Sequence, residues 1–358
     1  MFPIQIRPTD AVREVVEMTA KATRNLSQLR ESQVEYGTAP KEEVFREDNV
    51  VLYRYKPVKE KLYEVPLLIV YALVNRPYMV DLQENRSLVR SLLELGIDVY
   101  LIDWGYPKRN DRYITIDDHV NSYIADCVDC ICERHKLNKI NILAICQGGA
   151  LSLCYTALHP EKVRNLVTMV TPVDFHIKDG LLNTWAGCAY GPESMNIDAM
   201  VEAQGNIPGD FMNMGFLLLK PFQLNVEKYL GLTDILDDEA KLINFLRMEK
   251  WIFDSPDQAG ETFRQFLKDF YQGNKLIKGE FSLGGEKVDL KNITMPVLNI
   301  YAEEDHLVPP ASSIALKDYV GAKDYTVVGY PVGHIGMYVS GKVQKDLPPM
   351  IAKWLKER

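Results

Sequence analysis

Lys139-Ile140-Asn141-Ile142-Leu143-Ala144-Ile145-Cys146-Gln147-Gly148-Gly149-Ala150 is the stretch on which the reading of the fold turns. An apolar run of strand length stops at Cys146-Gln147-Gly148. A helical pattern (Ala150, Leu151, Leu153, Cys154, Ala157, Leu158) begins at once. Strand, sharp turn and helix in that order make a nucleophile elbow, here with a thiol where a serine hydroxyl usually stands. A residue on so tight a turn needs small neighbours two positions away, and Ala144 and Gly148 are small. The following helix points its N-terminus at the sulfur, which favours a thiolate and supplies N–H groups for a developing oxyanion. A buried structural cysteine is the commoner fate of a free thiol. Strand, small residues and helix together favour the catalytic reading.

Outward from that point, strand-like and helical segments alternate. Strands are expected at Val50–Tyr55, Leu67–Leu73, Asp98–Asp103, Ile140–Ile145, Leu166–Thr171, Val297–Ala302 and Tyr325–Gly329, and helices over 10–33, 82–95, 117–135, 148–158 and 342–356. Apolar strands alternating with helices mean a mostly parallel sheet with helices on both faces, an α/β class. Residues 172–296 interrupt the rhythm and are rich in Phe, Met, Leu and Trp, with Gly-Asn-Ile-Pro-Gly at 205–209 and Ser-Pro-Asp-Gln at 255–258. So long an insert over the carboxyl ends of the strands reads as a cap or lid. The expected organisation is an N-terminal helical segment (1–40), a core (41–174 and 292–358) and the insert (175–291).

Composition narrows the class. A chain of 358 residues, 47% hydrophobic, can bury a large core. The net charge of −8, with no basic cluster interleaved with aromatics, argues against nucleic acid. Met1–Arg7 lacks the charged-then-apolar pattern of a secretory signal, and the longest apolar run, Val65–Val74, is too short to span a bilayer. A cytoplasmic protein with reduced thiols is expected. Cys127, Cys130 and Cys132 fall on one expected helix without a second Cys or His pair at zinc spacing, so they read as an apolar helix face and no metal is expected. Cys154 reads as core.

A thiol nucleophile needs a base and an orienting acid, which in this type of sheet follow it as acid, then histidine, on loops leaving later strands. The loop after Val297–Ala302 offers Glu303, Glu304 and Asp305, with Asp305 opening the turn that Pro309-Pro310 closes. The loop after the last strand offers His334 between Gly333 and Gly336. Cys146, His334 and Asp305 are therefore read as nucleophile, base and acid, with His306 a secondary candidate base. His119, His135, His159 and His176 lie on helices or helix ends, where a surface role is expected. Oxyanion donors are expected from the N–H of Gln147 and from Val74 or Asn75, after the strand at 67–73.

Several motifs together closely resemble the polyhydroxyalkanoate synthases. They are Ala-Ile-Cys-Gln-Gly-Gly, Leu-Leu-Ile-Val-Tyr-Ala-Leu-Val-Asn-Arg-Pro-Tyr (67–78), Asp-Val-Tyr-Leu-Ile-Asp-Trp-Gly (98–105), Asp-His-Leu-Val-Pro-Pro (305–310) and Gly-His-Ile-Gly (333–336). The resemblance runs from about residue 40 to the C-terminus. The short chain is similar to the catalytic subunit of the two-subunit (class III) enzymes. It departs from the family at Ala144, where the elbow usually begins with glycine; a methyl group there tightens the turn. The resemblance implies the α/β-hydrolase fold with a cap insert between the sixth and seventh strands, and the triad Cys146–Asp305–His334. It implies polymerisation of (R)-3-hydroxyacyl-CoA, with 3-hydroxybutyryl-CoA as the expected monomer, CoA release, and no cofactor beyond the thioester substrate. It also implies a second, non-catalytic subunit of the PhaE type, a homodimer or hetero-oligomer, and attachment to the polyester granule. Independently, a thiolate attacking a thioester exchanges one acyl–sulfur bond for another and keeps the acyl group activated. Rival readings are a thioesterase or esterase on the same triad, and an inert scaffold with this fold.

Overall fold

The computed structural model describes residues 34–358 apart from 179, 187–194, 221, 223–230, 232–234 and 236–237. The helix expected over 10–33, and Cys188, lie outside the described residues. Eight strands form the main sheet: β1 (Lys41–Glu47), β2 (Val50–Tyr55), β3 (Leu67–Val70), β4 (Val99–Asp103), β5 (Ile140–Ile145), β6 (Val163–Met169), β7 (Val297–Ala302) and β8 (Tyr325–Tyr330). Their spatial order is β1-β2-β4-β3-β5-β6-β7-β8. β2 runs antiparallel to β1 and β4, and every later pairing is parallel. β1 went unrecognised in the sequence because it is a charged edge strand, Lys-Glu-Glu-Val-Phe-Arg-Glu, with no buried residue. Charge on an edge discourages pairing with another chain, and it also erases the apolar signature.

Two layers of helix cover the sheet because side chains alternate along each strand. Leu68, Val70, Tyr100, Ile102 and Ile142 face α2 (Ala125–His135) and α3 (Gln147–Leu158). Leu67, Ile69, Val99, Leu101 and Leu143 face α1 (Leu88–Glu94) and α5 (Gly341–Lys356). β5 lies between β3 and β6 and all six of its residues are buried, as a central parallel strand requires. The helix expected over 82–95 starts only at Leu88. Asp81–Gln83 and Arg86–Ser87 pair instead as a short hairpin. Ser87 then caps the helix, its Oγ accepting from Arg90 N at 2.9 Å.

Residues 170–296 separate β6 from β7, the sixth and seventh strands. Within them α4 (Glu239–Phe253) and the helices Ile197–Gln204, Gly209–Leu218 and Gly260–Gln265 are described. The later part of the insert is bound into the core. Phe266, Phe270, Tyr271, Phe281, Leu283 and Leu290 belong to the same buried cluster as β3, α2 and α3. Phe175 stacks on Phe270 with ring centroids 5.6 Å apart. No helix among the described residues is long and apolar enough to cross a membrane.

Candidate active site

The elbow forms at the carboxyl end of β5. Cys146 adopts φ +53° and ψ −123°, a left-handed conformation that costs a non-glycine residue of order 1–3 kcal/mol. Its surroundings hold it there: Cys146 N donates to Met169 O at 3.0 Å, and Gly149 N donates to Cys146 O at 2.9 Å. Gly148 is required by contact, since a Cβ there would lie 2.3 Å from Tyr71 O and 2.5 Å from Val70 O. Ala144 is still on the strand, fully buried and paired with Val70 and Thr168, so its methyl is accommodated. Gly148→Ala should therefore lower the unfolding free energy by roughly 1–3 kcal/mol, because backbone oxygens cannot yield as a side chain can. A thermal melt checks it, and an unchanged melting temperature would show that the two backbones are less tightly set than this.

The acid and the histidine come from the ends of β7 and β8. Beyond the strands the pairing continues, with Glu303 N donating to Tyr330 O at 2.8 Å and Glu304 N to Val332 O at 3.1 Å. This ladder sets the two loops side by side. Glu303 and Glu304 expose their side chains, whereas Asp305 is buried. Asp305 Oδ1 accepts from Leu307 N at 2.8 Å and Val308 N at 2.9 Å. Its Oδ2 accepts from His334 Nδ1 at 2.7 Å. With Nδ1–H committed to the carboxylate, the other ring nitrogen is clear of that bond, and Cys146 lies near enough to influence the ring. Burial alone would push the imidazole down, but Asp305 and Cys146 outweigh it and hold it well above its ordinary value. Such neighbours favour the charged form of the ring.

Cys146, His334 and Asp305 are thus brought together. His306 is half-buried and makes no hydrogen bond to Asp305 or Cys146 among the described residues. Burial, then the neighbouring Lys220, lower its pKa, opposed by Asp305. His119 corrects the expectation of a surface role: it is buried against Trp104 and Tyr123, with Nδ1 2.8 Å from Thr115 O. Tyr123 is one helical turn away, but Trp104 comes from the end of β4, which helix position alone does not reveal. Cys127 and Cys132 are buried on α2, and Cys130 is half-buried.

Gln147 is the first residue of α3, so its N–H has no partner within the helix. The segment after β3 runs toward it. Among the described residues neither Val74 N nor Asn75 N meets a backbone acceptor, and Asn75 has φ +59°. The Asn75 side chain is occupied elsewhere, donating from Nδ2 to Trp251 O and Ile252 O, both at 3.3 Å. The side chain of this residue is therefore committed to the insert. Tyr71 and Tyr338 are buried beside the cysteine, their rings edge-on at 6.2 Å. Burial is the largest cause of their raised phenol pKa values, and the proximity of Cys146 adds to it. Tyr338, four residues after His334, lies on the same turn of chain, a proximity that could have marked it in the sequence. Insert residues Met248 and Ile252 border the same apolar cluster as Cys146.

An eight-stranded sheet of this order, with a strand–turn–helix elbow after β5 and an aspartate and a histidine after β7 and β8, defines an α/β-hydrolase-fold protein with a cysteine at the elbow. Residues 65–340 match the family model described as alpha/beta hydrolase fold. Residues 15–92 match the model described as the N-terminus of poly-beta-hydroxybutyrate polymerase (PhaC). The chain is 61% identical to the poly(3-hydroxyalkanoate) polymerase subunit PhaC of Synechocystis sp., covering 100% of this chain and 96% of that one. It is 56% identical to the subunit of the same name from Allochromatium vinosum over the full length of both. The chain belongs to the poly(3-hydroxyalkanoate) polymerase PhaC family. It is an acyltransferase that polymerises hydroxyacyl units into polyhydroxyalkanoate. Among solved structures, a hydrolase from Pseudomonas aeruginosa PA01 matches with TM-score 0.53 at 13% identity, covering 89% of this chain and 99% of its own. The LipS and LipT lipolytic enzymes match at 0.51 and 12%, covering 85% and 98%. These likenesses establish the fold alone.

Proposed function

We propose that polymerisation runs through a covalent thioester on Cys146, with His334 as base and Asp305 as orienting acid. The observation that carries this is the buried Asp305–His334 bond of 2.7 Å, with the elbow cysteine near enough to that ring to influence it. His334 takes the thiol proton, and the thiolate attacks the carbonyl carbon of an (R)-3-hydroxyacyl-CoA. The CoA sulfur leaves with a proton from the imidazolium, and the acyl group stays on Cys146 as a thioester. The 3-hydroxyl of the next unit then loses its proton to His334 and attacks that thioester, forming an ester and freeing the thiol. The N–H of Gln147 and that of Val74 or Asn75 hold the oxyanion.

3-Hydroxybutyryl-CoA is the proposed monomer, and no resident cofactor is invoked. Residues 175–291 are the proposed cap over the site. Its Met248 and Ile252 pack on the apolar cluster that Cys146 also borders, which supports exclusion of water, without which the acyl-enzyme would hydrolyse. A second, non-catalytic subunit of the PhaE type, a homodimeric or hetero-oligomeric assembly, and a cytoplasmic location at the granule surface complete the proposal. Incubation with 3-hydroxybutyryl-CoA, with and without such a partner, tests it. CoA release matched by insoluble polyester is the expected result. Free 3-hydroxybutyrate as the main product would make the chain a thioesterase instead.

A further inference from the structure

One short segment of the insert touches both halves of the oxyanion site. At one end, Gln258 Nε2 donates to Gln147 Oε1 at 3.2 Å. Gln258 is itself fixed by a two-way bridge to Ile207, with both N–H···O distances 2.9 Å, and both glutamines are buried. At the other end, the carbonyls of Trp251 and Ile252 receive the Asn75 side chain, and Trp251 Nε1 donates to Arg76 O at 2.9 Å. Between them, the Asp254 carboxylate accepts from Tyr78 Oη at 3.0 Å and from Tyr106 Oη at 2.6 Å. Arg76 is braced in turn by Asp103 at 2.7 Å and by Gly105 O at 2.9 Å.

Gln147 and Val74–Asn75 belong to different loops, after β5 and β3. An oxyanion needs donors from both within about 2.7–3.1 Å of one point, and a misplacement of an ångström costs on the order of 100-fold in rate. β3 and β5 pair directly and Gly148 packs on Tyr71 O, which fixes the strand ends, but Val74 and Asn75 lie three and four residues beyond that contact. We propose that Trp251–Gln258 is a strap that sets this spacing, with Gln258 a positioning residue that acts through Gln147. Carbonyl activation is then complete only while the insert is seated on the core. This inference rests on the proposed covalent mechanism.

Gln258→Met keeps the length and removes the donor. Two rates are measured on the full chain: CoA release from 3-hydroxybutyryl-CoA, and alkylation of Cys146 by iodoacetamide. Alkylation displaces iodide at a saturated carbon, so it reads the thiolate and needs no oxyanion site. CoA release should fall roughly 10- to 100-fold, with alkylation within about twofold of the parent chain. Because Gln258 acts through Gln147, Gln147→Met should show a similar loss, and the double variant should be no worse than either single one. Unchanged CoA release, a parallel fall in alkylation, or additive losses would each overturn the proposal. Gln258→Asn, one methylene too short to reach, serves the same comparison if the methionine variant does not fold. Failure of the underlying mechanism looks different: CoA release by the parent chain would then survive Cys146→Ala.

Discussion

Replacing Cys146 with alanine is expected to abolish CoA release, by at least roughly 10³-fold, while the protein stays folded. The backbone at this position already sits at φ +53° with a side chain present, so alanine adds no strain that the cysteine did not carry. The hydrogen bonds that hold the turn, Cys146 N to Met169 O and Gly149 N to Cys146 O, are made by backbone atoms and survive the change. What disappears is the sulfur that must bear the acyl group. Cys146→Ser should be severely impaired for a related reason. A hydroxyl is far harder to ionise than a thiol, and the ester it forms is a poorer acyl donor for the next transfer. The measurement is CoA release beside a circular dichroism melt. Near-normal turnover by the alanine variant, with an unchanged melt, would remove Cys146 from the mechanism.

Asp305→Asn should separate the two halves of the cycle. The native carboxylate spends one oxygen on Leu307 N and Val308 N and the other on His334 Nδ1–H. An amide has only one acceptor oxygen. If that oxygen keeps the two backbone donors, the NH₂ group faces His334 and favours the tautomer whose Nδ1 accepts. The proton then lies on Nε2, the nitrogen that should act as base. The imidazolium also loses the carboxylate that raised its pKa. A thiol is a far stronger acid than an aliphatic hydroxyl and depends less on the base. The 3-hydroxyl of the incoming unit is a much weaker acid and needs the base. Acylation should therefore persist while elongation slows by about 10²–10⁴-fold. The expected trace is a burst of CoA equivalent to the enzyme, then an almost silent steady state, with a short acyl chain on Cys146 in the intact-mass spectrum. Equal loss of burst and steady state would mean that the acid serves both steps. Full activity would transfer the role to another carboxylate, although Glu303 and Glu304 both face solvent.

The elbow was legible in the chain because its signals are local. A buried strand, a small residue on each side of Cys146 and a helix beginning at once all lie within a dozen residues, where backbone sterics and periodicity decide the structure. The same holds for β7, whose bounds Val297–Ala302 follow from its apolar run, and for Cys127 and Cys132, placed inward by the helical period of α2. The selection among Glu303, Glu304 and Asp305 was only half legible. Position singled out Asp305, but its burial and its two backbone donors depend on the β7–β8 ladder closing beyond the strands. Tertiary structure alone decided the rest. His119 is interior because Trp104, from the end of β4, closes on it, and the hydrogen bond between Gln258 and Gln147 joins residues 111 positions apart. Contacts of that span are set by how packed layers bring loops together, and no pattern of neighbouring residues encodes them. Chain order and local periodicity determine which residues this protein can use for chemistry. The packing of the insert on the core determines how the groups that must hold the reacting carbonyl are spaced.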